Sequence, residues 1–343
     1  YEDSLAWETN PLYGFCNKNK KPNGDNYNIY SDGLKIYATI DSRMQKYAEE
    51  AVKQHIENLQ IKFFQEKKGR SYAPFSRNLK LEEIKDIMIR TMKQTDRYWR
   101  LKNAGKTMAE IEAIFNKPVP MSVFSYKGDI DTIMSPMDSI RYHKYFLRAG
   151  FMSMSPINGH VKAYVGGPDF ATFQYDMVTV GRRQVGSTIK PYLYTLAMEE
   201  GMSPCDKALN APITLKTATG SDWTPKNGSQ ARRGEMVTLR WGLANSNNWI
   251  SAYLMSLFTP EALVKLMRSF GIKGPLEPVV SLCLGPAEIS VSEMVDAYTA
   301  FPNKGIRVEP LYVTRIEDNN GNVIATFSPQ MTEIFSEETS YKM

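Results

Sequence analysis

The stretch GRRQVGSTIKP, Gly181 to Pro191, sets a hydroxyl and an amine three positions apart, Ser187 and Lys190, where an apolar helical pattern begins. One turn of helix brings side chains at that spacing together. A serine hydroxyl becomes a competent nucleophile when a neighbouring base takes its proton, and lysine acts as that base when its surroundings lower its pKa. Gly186 ends a loop, Tyr192, Leu193, Leu196 and Ala197 recur at helical spacing, and Gly201 reads as a left-handed stop. Near a helix N-terminus, unpaired N–H groups and the positive end of the dipole favour a serine alkoxide and a neutral lysine. A plainer reading stands beside this one: Ser187 as a helix cap and Lys190 as a solvated first-turn lysine. S-x-x-K arises by chance roughly once in a chain of this length, and Ser187 with Lys190 is its sole occurrence here.

The flanks separate the two readings. GRRQVGSTIKP resembles the R-Q-x-G-S-x-x-K-P segment of penicillin-binding proteins, and VTLRWGLANSNN, Val237 to Asn248, resembles their S-x-N motif. Trp223-Thr224-Pro225-Lys226-Asn227, the segment FMSMSPINGHVKAYVGG (Phe151 to Gly167) and the opening GLKIYATIDSRMQKYAEEAV (Gly33 to Val52) are similar to class A members, so the resemblance covers most of the chain. A second S-x-N, Ser76 and Asn78, lies upstream of Ser187 in a polar segment and reads as chance.

The resemblance implies a penicillin-binding D,D-transpeptidase that cross-links peptidoglycan stem peptides through a serine acyl-enzyme and is acylated by β-lactams. By the same resemblance Ser187 is the nucleophile and Lys190 its base. Ser246 relays a proton to the leaving amine, Asn248 holds a substrate amide, and the Ser187 backbone N–H is half of an oxyanion hole. Two alternatives share the residues: a β-lactamase or D,D-carboxypeptidase, where water resolves the acyl-enzyme, and a non-catalytic module that binds peptidoglycan or antibiotic. The implied partners are stem peptides ending in D-Ala-D-Ala, β-lactams and other cell-wall synthesis proteins. The implied location is the periplasmic side of the bacterial cell envelope, with anchorage to the inner membrane through a segment outside this sequence.

The family's third motif, K-[ST]-G, falls well after S-x-N, and the chain reaches Met343 without it. The string Lys216-Thr217-Ala218-Thr219-Gly220 lies between the first two motifs and reads as a polar edge or loop. The resemblance therefore implies a transpeptidase domain incomplete at its C-terminus. Loss of one oxyanion donor lowers rate by on the order of a hundredfold. Nothing resembles glycosyltransferase motifs, so no polymerase activity is expected.

Composition is consistent with a folded enzyme domain. The 343 residues are 42% hydrophobic and 11% aromatic, enough for one large core or two smaller ones. A net charge of +5, spread along the chain, does not point to nucleic acid. Arg182-Arg183 and Arg232-Arg233 read as solvated surface pairs. Cys16, Cys205 and Cys283, and His55, His143 and His160, are scattered without metal-ligand spacing, so neither metal nor cofactor is expected. No apolar run approaches the ~18 residues of a membrane span, and no signal peptide opens the chain, which begins at Tyr1.

Punctuation divides the chain into an N-terminal arm or linker over 1–33, the start of the transpeptidase region over 34–60, an inserted helical subdomain over 61–118 and the transpeptidase domain over 119–343. A strand is expected from Leu34 to Ile40. The helix after it is read with a Ser42/Gln45 capping box and a core-facing stripe of Met44, Tyr47, Ala48, Ala51, Val52, Ile56 and Leu59. Further helices are expected over Leu81–Trp99, Met108–Phe115, Ser139–Leu147, Leu239–Ala244, Trp249–Phe258, Pro260–Phe270 and Ile289–Phe301. Arg97, Tyr98, Trp99 and Arg100 read as a partly buried helix face. Short strands are expected near Val123 and Ile130, a two-residue hairpin turn at Asn158-Gly159, and a last hairpin at Asn319-Asn320-Gly321. The class is α+β: an antiparallel sheet flanked by helices, as in penicillin-binding protein transpeptidases and serine β-lactamases.

Overall fold

The computed structural model describes residues 7–8 and 10–343. A short helix, Phe15–Lys18 (α1), precedes the first strand, Lys35–Ala38 (β1), and a long helix, Ser42–Lys67 (α2). The Ser42/Gln45 capping box does not form. Asp41 Oδ1 instead accepts from the N–H groups of Arg43 and Met44, placing a negative charge at the positive end of the helix. Gln45 pairs with the backbone of Tyr164, Nε2 donating to its carbonyl at 2.9 Å and Oε1 accepting from its N–H at 2.8 Å. The buried line of α2 is narrower than its pattern suggests: Ala48 and Ile56 are buried with Gln60, while Met44, Tyr47 and Leu59 are exposed.

The chain forms two compact units, the smaller comprising Lys46–Phe151 and Val165–Met177. There Leu81–Lys93 (α3) and Asp96–Asn103 (α4) replace the single helix expected over Leu81–Trp99. Thr95 starts the second by accepting from the N–H of Tyr98. Met108–Phe115 (α5) has the expected bounds, set by a Thr107/Glu110 capping box. Met92, Tyr98, Ile111 and Phe115 pack as one core, so Tyr98 faces inward while Trp99 is exposed. Val119–Val123 (β2) and Ile130–Met134 (β3) pair antiparallel. Pro136–Lys144 (α6) starts at a Ser135 cap, ahead of the Ser139 expected.

The larger unit comprises the described residues up to Gln45, Met152–Tyr164 and Val178–Met343. Phe151–Met154 (β4) and Val161–Val165 (β5) pair, but not through a two-residue turn. The connection is closed by Ser155 N–H on the His160 carbonyl and Gly159 N–H on the Ser155 carbonyl. Gly159 has φ 69°, and a Cβ there would meet the Glu309 carbonyl oxygen at 2.3 Å, so both the left-handed backbone of the turn and a close backbone approach require glycine.

Arg182–Gln184 (β6), a 3-10 turn over Gly186–Ile189 and Lys190–Glu199 (α7) follow. Next come Lys207–Leu209 (β7), Leu215–Lys216 (β8), Asp222–Trp223 (β9) and Met236–Thr238 (β10). Three helices succeed them: Leu239–Ala244 (α8), Asn248–Leu257 (α9) and Pro260–Ser269 (α10). The helix expected over Ile289–Phe301 opens as a strand, Glu288–Ser290 (β11). It turns helical over Val291–Tyr298 (α11), because Ser290 and Glu293 form a capping box. Ile306–Val308 (β12), Val313–Glu317 (β13), Val323–Thr326 (β14), Met331–Glu333 (β15) and Glu337–Lys342 (α12) complete the order. β1, β13 and β14 form a three-stranded antiparallel sheet, and β6–β11, β7–β10, β8–β9 and β12–β15 are antiparallel pairs. The fold is α+β, as expected.

α7 lies at the centre of this unit. Tyr192, Leu193, Tyr194 and Ala197 are buried on it and pack with Ile250 and Leu254 of α9 and Leu263 and Met267 of α10. A helix apolar on nearly every side is a core helix, and each large side chain so buried contributes about 1.5–3 kcal/mol. α7 ends where expected: Gly201 takes φ 92°, its N–H bonding to Met198 and that of Met202 to Ala197, a Schellman cap.

Candidate active site

Ser187 sits in the 3-10 turn just ahead of α7, and Lys190 is the first residue of α7. The turn is held from behind. The Gly186 N–H donates to the Gly285 carbonyl at 3.0 Å and the Val185 N–H to the Ala287 carbonyl at 3.1 Å. Gly285 has φ 77°, and a Cβ on it would fall 2.0 Å from the Gly186 carbonyl oxygen, so only glycine allows this approach. Ser187 itself is exposed.

Lys190, three residues on, is 1% exposed. Its Nζ donates to the Ser246 carbonyl at 2.6 Å, to Asn248 Oδ1 at 2.7 Å and to Ser246 Oγ at 3.1 Å. Burial lowers its pKa to about 8, against a smaller opposing influence of Cys283. A neutral amine keeps two N–H bonds, enough for the two carbonyl-type oxygens, and its lone pair can face a hydroxyl. The third contact is a hydroxyl, so Lys190 can lose its proton without stranding a buried acceptor. The structure thus brings Lys190, Ser246 and Asn248 together. Among the described residues no hydrogen bond joins Ser187 Oγ to this cluster.

Ser246 has φ 49°, a left-handed conformation unusual outside glycine. It follows from how α8 stops: the Ser246 N–H bonds to Leu243 and the Asn247 N–H to Gly242. Ser246 therefore fills the position of a Schellman cap that glycine ordinarily fills. The turn leaves the Ser246 side chain exposed and directs its carbonyl to Lys190.

Sequence reading passed over Asn247, which is buried. Its Oδ1 caps α9 through the N–H groups of Trp249 and Ile250, and its Nδ2 bonds Asn210 Oδ1 at 2.8 Å. An asparagine directly before a helical run is the signal that could have marked it. Asn210 in turn donates to the carbonyls of Ala231 and Arg232. The Trp223–Asn227 segment is also fastened here, Asn248 Nδ2 donating to the Lys226 carbonyl, Asn227 Oδ1 accepting from the Asn248 N–H and Trp249 Nε1 donating to the Pro225 carbonyl.

The rival strings lie elsewhere. Lys216 to Gly220 runs from β8 into an exposed hairpin turn, and Ser76 Oγ accepts from the Asn78 N–H in a local turn of the smaller unit. Arg182 is not simply solvated, for it pairs with Glu293 at 2.6 Å. Among the described residues no group of three or more His, Cys, Asp or Glu gathers as a metal site, and no helix is long and apolar enough to cross a membrane.

Residues 149–343 match the penicillin binding protein transpeptidase domain, and residues 70–147 the penicillin-binding protein middle domain. The chain is 29% identical over 314 residues to penicillin-binding protein 1A of Rickettsia felis, spanning 86% of this chain and 39% of that protein. It is 26% identical over 348 residues to penicillin-binding protein 1A of Escherichia coli, spanning 88% and 39%. It thus spans about two-fifths of the length of these curated relatives. The crystal structure of penicillin-binding protein 1A from Haemophilus influenzae superposes with a TM-score of 0.61 at 19% identity, over 99% of this chain and 56% of that one. PonA1 of Mycobacterium tuberculosis gives 0.55 at 18% identity, over 93% and 63%. These two show a shared fold. With more than half of its length matching the transpeptidase domain, the chain belongs to the penicillin-binding proteins and corresponds to the transpeptidase region of their class A members.

Proposed function

We propose that this chain is a D,D-transpeptidase acting on peptidoglycan stem peptides, at the periplasmic face of the cell envelope, through an acyl-enzyme on Ser187. The observation that carries the reading is the Lys190 amine, buried, with a pKa near 8 and bonded to both Ser246 and Asn248, one residue into a helix that begins just after an exposed serine. Ser187 Oγ attacks the carbonyl of the penultimate D-alanine as its proton passes to Lys190 Nζ. The Ser187 N–H stabilises the developing oxyanion. The C–N bond breaks as Ser246 Oγ gives its proton to the departing D-alanine nitrogen and regains one from the Lys190 ammonium across their 3.1 Å contact, which leaves Lys190 neutral again and an ester on Ser187. The amine of a second stem peptide attacks that ester, forming the cross-link and returning the proton to Ser187 Oγ. Asn248 keeps one N–H beyond its bond to Lys226, available to a substrate carbonyl. A β-lactam carbonyl takes the place of the donor, and its ring opens onto Ser187.

The test is labelling of the full-length protein by a fluorescent penicillin. Wild type takes a slowly released label and Ser187→Ala takes none. Label on the alanine variant, or none on wild type, would sink the reading, and rapid release would favour a hydrolase.

A further inference from the structure

The segment that carries Ser187 is gripped at two points by one helix. At its near end Arg182 of β6 donates through Nη1 to Glu293 Oε2 at 2.6 Å and through Nη2 to Oε1 at 3.3 Å. The same carboxylate accepts from the N–H groups of Lys273, Gly274 and Ser290 and from Ser290 Oγ. It therefore ties β6, the 273–274 loop and the start of α11 at one point. At the far end Tyr298, the last residue of α11, donates its hydroxyl to the Thr188 carbonyl at 2.6 Å, its ring edge-on to Tyr192 at 5.9 Å and Phe301 at 5.3 Å. Glu293 and Tyr298 thus hold the chain on either side of Ser187, at Arg182 and at Thr188.

Resting on the acyl-transfer reading of Ser187, we propose that α11 sets the position of the nucleophile, with Tyr298 and Glu293 as positioning residues for acylation. Ser187 stands exposed with no side chain of the Lys190 cluster bonded to its hydroxyl, so its aim depends on the backbone of the turn. A reacting atom misplaced by ~1 Å can lose up to ~100-fold in rate. Among the described residues the Tyr298 hydroxyl makes the one side-chain hydrogen bond that reaches the turn from α11.

Tyr298→Phe keeps the ring and removes that bond. The acylation rate of the full-length protein at saturating β-lactam should fall about tenfold, with the non-covalent dissociation constant and the pH midpoint of acylation unchanged, since Lys190 is untouched. Amide hydrogen exchange over residues 182–190, followed by mass spectrometry, should quicken while Tm is nearly kept. Glu293→Gln, which weakens the other grip, should quicken exchange in the same peptide. Wild-type acylation in Tyr298→Phe overturns the proposal, as does unaltered exchange, and a moved pH midpoint overturns it by placing the effect on Lys190. If wild type itself takes no label, the acyl-transfer reading fails, and exchange alone then decides whether α11 holds the turn.

Discussion

Helices α7 and α8 end in the same hydrogen-bond pattern and differ in the residue that makes it. Gly201 closes α7 at φ 92°, and a Cβ there would meet nothing within 4 Å. Ser246 closes α8 at φ 49°, where a side chain is disfavoured by roughly 1–2 kcal/mol. One end is ordinary. The other carries backbone strain and gives Lys190 a carbonyl at 2.6 Å and a hydroxyl at 3.1 Å. Strain of this kind persists where surrounding contacts over-determine it. Here those contacts are the Lys190 amine and the Asn247 cap, which also ties Asn210.

The largest effect is expected from removing the amine that the end of α8 serves. Lys190→Met fills the volume with an apolar chain and leaves the Ser246 carbonyl and Asn248 Oδ1 without their donor. Acylation by a β-lactam should fall by about 10²–10⁴-fold, the usual contribution of a general base. In wild type the rate should climb about tenfold per pH unit below the Lys190 pKa and level off above about 8, because the proposed role of Lys190 as base requires the neutral amine. The same shift has a stability consequence of defined sign. The folded state holds a proton less readily than the unfolded chain, whose lysine titrates near 10.5, so Lys190's share of stability grows as pH rises from about 8 to that value. A pH–rate profile flat across 6 to 9 would rule Lys190 out as the base.

Next in size is Ser246→Gly, which makes the end of α8 resemble that of α7. Relief of the left-handed serine should raise stability by about 1 kcal/mol, or a Tm increase of about 2–4 °C for a domain of this size. Acylation should fall because the hydroxyl beside Lys190 is gone. A variant that is less stable than wild type would show that the serine side chain, not the backbone, holds the turn.

What could be read beforehand follows the range of the forces involved. The bounds of α5 and α8 come from caps a few residues away, Thr107 with Glu110 and Thr238, and were legible. So was the start of α7 at Ser187 and Lys190, which is set by local sequence, and Gly201 as a stop. Ser246 and Asn248 could be placed at the site by resemblance alone, since their bonds to Lys190 bridge separate helices. Asn247 and Asn210 meet across long sequence separation. Glu293 collects donors from Arg182, Lys273, Gly274 and Ser290, a convergence no short window contains. At Asn158-Gly159 the hairpin itself was legible and only its length was not, for the Ser155–His160 bond closes a connection longer than two residues, and the approach of the Glu309 carbonyl to Gly159 comes from a distant part of the chain.

The smallest expected effect is the reciprocal change, Gly201→Ser, which gives α7 the serine that α8 carries. The added side chain enters open space, so no clash contributes and the whole cost is that of holding a non-glycine residue at φ 92°. About 1 kcal/mol should be lost, a Tm decrease of about 2–4 °C by calorimetry. Acylation should not change, because α7 is packed along most of its length and its far end gives nothing to Lys190. The two substitutions then run in opposite directions in stability, and only Ser246→Gly touches the reaction. A fall in acylation with Gly201→Ser larger than twofold, by order of magnitude beyond ordinary surface-mutation effects, would mean that the end of α7 reaches its start, and that the two helix caps do not differ in function as their surroundings indicate.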